Sequence, residues 1–87
     1  MRPEDVEVGM HVVRPSNEMR AVVVGEPYIN PTTDVVMAPV FYINPQTEQP
    51  WLSKAGWFVV HFEPDPKPPV DLWSMYCARV LQGKVPA

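Results

Sequence analysis

Apolar residues are dense along four stretches of the chain without helical spacing, and in a fifth they recur at the period of a helix. Met10–Arg14, Arg20–Tyr28, Val35–Ile43 and Trp57–Glu63 are rich in β-branched and aromatic residues, with Gly, Pro, Asn and Asp between them, which predicts short strands. Leu72, Trp73, Tyr76, Cys77, Val80 and Leu81 instead fall on one broad helical stripe, with Ser74, Arg79 and Gln82 off it. Asp71 stands where an N-cap belongs and Gly83 followed by Lys84 where a helix stops, so the pattern predicts one amphipathic helix over 70–83.

Proline sharpens this reading by excluding alternatives. The chain has 12 prolines, and one inside a helix costs about 3 kcal/mol, so a helix must fit between them. Pro39, in the middle of the third predicted strand, marks a bulge or an edge. Residues 64–69 read as a stiff polyproline II spacer in front of the helix; they contain Pro66-x-x-Pro69, a pattern that SH3 and WW domains bind. Trp51 and Trp57 bracket a stretch read as a turn, Leu52 to Gly56. One internal echo fits a meander: Tyr28-Ile29-Asn30-Pro31-Thr32-Thr33 recurs as Tyr42-Ile43-Asn44-Pro45-Gln46-Thr47. Asn caps a turn with its side chain and Pro presets φ, so the echo reads as one turn used twice.

Alternation places Phe58, Val60 and Phe62 on one face of the fourth strand and Trp57, Val59 and His61 on the other. The third strand likewise opposes Val35, Met37, Phe41 and Ile43 to Val36, Val40 and Tyr42. Both faces of the sheet are therefore apolar, and a single helix covers part of one. The expectation is that self-association or a partner covers the rest, because monomers rarely expose more than a few hundred Å² of contiguous apolar surface.

At Asp5-Val6-Glu7-Val8-Gly9-Met10-His11-Val12-Val13 the chain resembles the opening of small SH3-like β-barrels of the KOW and Tudor-like kind, and Arg20–Gly25 resembles their valine-rich second strand. The resemblance covers about 20 of the 87 residues and implies fold class alone. The expected architecture is mainly β, of α+β type: a small antiparallel SH3-like barrel or rolled sheet with one C-terminal helix. It divides as a meander over 5–63, the spacer over 64–69 and the helix over 70–83, within a single domain spanning 1–87.

Composition and charge narrow the function classes. A chain of 87 residues with 46% apolar and 20% charged residues has a globular balance and room for one core. Its start is charged and no apolar run spans a bilayer; with the single Cys77, this predicts a cytoplasmic protein without a membrane segment. Asn30 and Asn44 precede prolines and accept no glycan. The initiating methionine reads as the start of a complete small reading frame.

The four glycines are isolated and form no phosphate loop, and the His and Cys spacing is not that of a metal site. Cys77 lies in the apolar helical stripe, where a thiol behaves as a small hydrophobe. The reading is therefore a protein that is not an enzyme and uses no metal or cofactor. The net charge of −3 and pI near 5.2, with scattered Lys and Arg, disfavour nucleic acid. Tryptophan is enriched among interface hot spots, and the candidate binding residues are Trp51, Trp57, Lys54, Tyr42, His61, Arg14 and Arg20. The expected function is non-enzymatic binding of a protein partner, in the manner of phage- or mobile-element-borne inhibitors of host machinery. The alternatives are a nucleic-acid-associated barrel working through Arg14, Arg20 and aromatics, and a homo-oligomer that sequesters a small ligand between subunits.

Overall fold

The longest strand, Val35–Ile43 (β4), organises the others, because its two edges are both occupied. In this computed structural model, which describes residues 1–44, 46–66, 68 and 71–81 (backbone alone at 81), one edge pairs antiparallel with Pro50–Phe58 (β5). The other edge takes two strands end to end, Met19–Val23 (β2) on residues 40–42 and Tyr28–Asn30 (β3) on residues 35–37. His11–Arg14 (β1) continues outward from β2, and Glu63–Pro64 (β6) pairs with β1. One register row crosses five strands: Trp51, Tyr42, Ala21, Val12 and Pro64. The protein is thus a mostly antiparallel sheet with one C-terminal helix, and among the described residues the sheet is open.

The meander survives with one strand broken. The predicted Arg20–Tyr28 strand is interrupted at residues 24–27, alongside Pro39 of β4, where the Val24 N–H still reaches the Pro39 carbonyl at 3.0 Å. The Asn-Pro echo is one turn used twice, as read. Asn30 Oδ1 accepts the Thr32 N–H and Asn44 Oδ1 the Gln46 N–H, each at 2.9 Å. Each turn closes with an N–H to carbonyl bond of 2.7 Å, Asp34 to Asn30 and Glu48 to Asn44, through a residue at φ 57° or 56°.

Pro39 is indeed the site of a bulge, and the bulge replaces the turn expected between the two tryptophans. Ala38 pairs with Trp57 and Val40 with Ser53, so residues 54–56 of β5 stand opposite Pro39 alone. Proline has no N–H to offer the ladder, which lowers the cost of the extra residues. Gly56 is obligatory at φ 81°, since a Cβ there would overlap the Ala38 carbonyl. The Ser53 hydroxyl accepts the Gly56 N–H at 3.0 Å, and the Tyr28 hydroxyl donates to the Ala55 carbonyl at 2.7 Å, so the bulge is held from two sides. Trp51 through Phe58 is consequently one continuous strand.

The predicted fourth strand ends early. Residues 59–61 form a 3₁₀ turn, which changes the side-chain period from two to three. Trp57, Val59 and Phe62 therefore point inward, while Phe58, Val60 and His61 point outward, so Phe62 and His61 exchange the places that strict alternation gave them. With Val6 from the N-terminal segment, these residues close over Val12, Ala21, Val23 and Val40 of the sheet. The opposite face receives Leu72–Tyr76 (α1), whose Leu72 and Tyr76 pack on Val22 and Phe41, with the Phe41 and Tyr76 rings 5.6 Å apart. The 3₁₀ turn and the N-terminal segment thus cover part of the apolar surface that was expected to be left to self-association or a partner.

Asp71 caps α1 as predicted, accepting the Ser74 N–H at 3.1 Å and its hydroxyl at 2.8 Å. Those bonds, the backbone one first, hold its carboxyl below the ordinary 3.8. The helix continues as a π turn over Cys77–Leu81. Its predicted residues 70, 82 and 83 lie outside the described residues, as do 67 and 69 of the Pro66-x-x-Pro69 pattern. The spacer expected over 64–69 begins as strand, since Pro64 belongs to β6. No described helix is long and apolar enough to cross a membrane.

Candidate functional site

The seven predicted site residues separate into one cluster and three outliers. Arg14 closes β1, and its side chain rises on the face covered by the 3₁₀ turn, because its register partner Met19 packs into that core. Its guanidinium carbon sits 5.0 Å from the centre of the Trp57 ring, a cation–π arrangement. Trp57 is 8% exposed, a core residue. Its ring lies 5.3 Å from that of Tyr42 and 6.3 Å from that of Phe62, which fixes the platform under Arg14. His61, exposed on the 3₁₀ turn, stacks edgewise on Phe58 at 5.7 Å.

Two depressions meet at these residues, and both are lined by Arg14 and His61. One, of about 360 Å³, lies between Pro15 and Ser16 on one side and Val60, Phe62 and Glu63 on the other. The other, of about 130 Å³, is floored by Met37, Gly56, Trp57 and Phe58. Val60 is 63% exposed and Phe58 36% exposed, so an apolar rim surrounds a cationic centre. The Arg14 carbonyl accepts the Asn17 N–H at 3.3 Å, but its guanidinium takes part in no hydrogen bond or ion pair among the described residues, and its Nε is buried without a partner.

The outliers are placed differently. Arg20 projects from the opposite face of β2 and lies 3.7 Å from the buried Asp65 carboxylate, which commits it to the fold. Lys54 stands exposed on the β5 bulge. Trp51, 59% exposed, pairs across the ladder with Tyr42, and through Tyr42 it continues the aromatic row that ends at Trp57 and Arg14.

Sequence reasoning missed Phe58, Val60 and Ser16 as lining residues. Their signal was the apolar run 57–62, too uniformly greasy for a strand with one solvent-facing side. It also missed His11, whose Nε2 accepts the Leu72 N–H at 3.2 Å and so ties the helix to β1. Among the described residues no group of three His, Cys, Asp or Glu gathers at metal-binding distance. No family model matches the chain, and neither does any curated protein or any solved structure.

Proposed function

We propose that this chain is a non-enzymatic interaction protein that engages a protein partner through the cleft between residues 14–16 and 57–63. The observation that supports it is the exposure of Val60 and Phe58 around two depressions sharing Arg14 and His61. Exposed apolar side chains stand beside an arginine over a buried tryptophan, and aromatic and Arg anchors characterise binding hot spots. Local carboxylates neutralise other cations: Arg20 faces Asp65, and Arg2 faces Glu4 and Asp5 at 3.5 and 3.3 Å. This leaves little of the clustered positive surface that nucleic acid needs. Strand-to-strand self-assembly along β5 is also disfavoured, because Pro50, Lys54 and the bulge are devices that guard a sheet edge.

The test is site-specific photo-cross-linking in the native cells. A photoreactive residue at Val60 is expected to give a discrete adduct with another protein, and one at Ser74, on the exposed side of the helix, to give none. Equal adducts from both positions, or none from position 60, would remove the cleft as the contact surface.

A further inference from the structure

We infer that the cleft recognises an acidic side chain of its partner, seated as a carboxylate on Arg14 with an apolar neighbour against Val60 and Phe58; this rests on the protein-binding reading above. A guanidinium offers five N–H donors in a fixed fork that matches a carboxylate. Here it is held over Trp57 at 5.0 Å, its Nε is buried without an acceptor, and no described carboxylate comes within ion-pair distance. Nε itself is closed to solvent, so a carboxylate entering the depression meets the terminal N–H groups of the fork, which no described acceptor takes. Arg20, six positions on and also on the sheet, has a carboxylate facing it at 3.7 Å; Arg14 faces an open depression of about 360 Å³ instead.

The lining of that depression selects among anions. Glu63 contributes a negative charge and the Met1 amino group a positive one to the same depression, so Arg14 is left as its net cationic centre and one negative charge balances it. Pro15, Val60 and Phe62 supply the apolar part of the lining, beside the polar Ser16, His61 and the Met1 amino group, which donates to the Phe62 carbonyl at 3.1 Å; the apolar part suits the methylene stem of a glutamate and a greasy residue beside it. Capture of a chain-terminal carboxylate usually draws on a nest of backbone N–H groups, whereas here the donor is a side-chain fork on an aromatic platform, suited to a carboxylate arriving from the side. The volume of about 360 Å³ holds one or two side chains, so recognition is of a short acidic-apolar element.

The experiment uses the isolated ¹⁵N-labelled full chain and follows the Arg14 Nε–H and Trp57 indole N–H signals by NMR at constant ionic strength. The probes are acetyl-Phe-Glu-amide, acetyl-Phe-Gln-amide, acetyl-Phe-Gln as its free acid, and inorganic phosphate. The Glu-amide is expected to move both signals saturably, with at least tenfold lower Kd than the Gln-amide, while the free acid and phosphate act no better than the Gln-amide. Arg14→Gln removes the difference between the Glu and Gln probes, and Arg14→Lys, which keeps charge and loses the fork, retains part of it. Equal binding of the Glu- and Gln-amides would overturn the carboxylate seat. Tighter binding of the free acid would move recognition to a chain terminus, and tighter binding of phosphate to another anion; either also overturns the inference. The comparison among probes is made on the unmodified protein, so it stands even if an Arg14 variant fails to fold. A position-60 adduct without Glu preference refutes this inference alone, and Glu preference without an adduct refutes the partner reading alone.

Discussion

The two faces of the sheet are filled by similar side chains but roofed by different backbone. One is covered by a helix, with the Leu72 and Tyr76 side chains set on Val22 and Phe41. Its first N–H groups are tied down by Asp71 and His11. The other is covered by a single 3₁₀ turn and an N-terminal segment, with Trp57, Val59 and Phe62 as the inward side chains. A helix repeats its stripe and satisfies its own backbone as it covers its face. A three-residue turn sends its remaining side chains outward, and this one leaves depressions along its margin. Among the described residues, the two depressions that share Arg14 and His61 lie on the face with the shorter cover.

The comparison is broken most strongly by cutting one cover at a time. Phe62→Ala, at a side chain only 1% exposed, is expected to cost about 3–5 kcal/mol and Leu72→Ala about 2–5 kcal/mol, read by urea denaturation. Against the ~5–15 kcal/mol typical of a whole domain, the first variant is expected to lose cooperative folding and the cleft together. Leu72→Ala is expected to retain the Arg14 and Trp57 NMR signals while the helix signals broaden. Loss of the cleft signals in Leu72→Ala at full helix content would show that the faces are not separable in this way.

A smaller change sharpens the role of the bulge that carries Gly56 into the cleft floor. Tyr28→Phe deletes the hydroxyl that donates to the Ala55 carbonyl and is expected to cost about 0.5–1.5 kcal/mol, with the largest chemical-shift changes at residues 54–57. Shift changes confined to β3 would mean the bulge holds itself.

The smallest effect belongs to the helix side and depends on pH. Asp71 has its carboxyl held below 3.8 by the Ser74 N–H and hydroxyl. A depressed folded value means that the cap stabilises fully above the unfolded value and is lost as pH falls through the lowered one. The wild type is therefore expected to lose a few degrees of Tm relative to Asp71→Asn between pH 5 and about pH 2, since Asn caps without titrating. Circular dichroism at both pH values checks this, and parallel losses in the two proteins would dismiss the Asp71 contribution.

Much of the scaffold was legible in the chain, and the reasons are local. Asn30 and Asn44 each hold a turn with their own side chains, Asp71 caps from its own position, and Pro39 lacks an N–H whatever surrounds it, so each declares itself in sequence. The break in the 20–28 strand was not legible, because Val24 and Gly25 are compatible with strand and only the neighbouring Pro39 singles them out. The same holds for the switch from a period of two to three at Val59. Trp57-Phe58-Val59-Val60-His61-Phe62 favours a strand by propensity, and the 3₁₀ turn that carries Phe62 inward is a tertiary choice. Because the cleft is made by that turn, Arg14, Trp57 and His61 could be named from residue type, whereas Phe58 and Val60 could not be placed on its rim. The aromatic-surface reading pointed to Trp51; the geometry puts it at the far end of a row whose other end is Arg14.

The face with the shorter cover is proposed here to bind and the helix-covered face to stabilise. The most direct test is the cross-link yield from position 60 in the Arg14→Gln background, with urea denaturation run on the same sample. The account predicts at least a tenfold fall in adduct with the unfolding midpoint close to that of the parent protein. An undiminished adduct from a folded Arg14→Gln protein would contradict it.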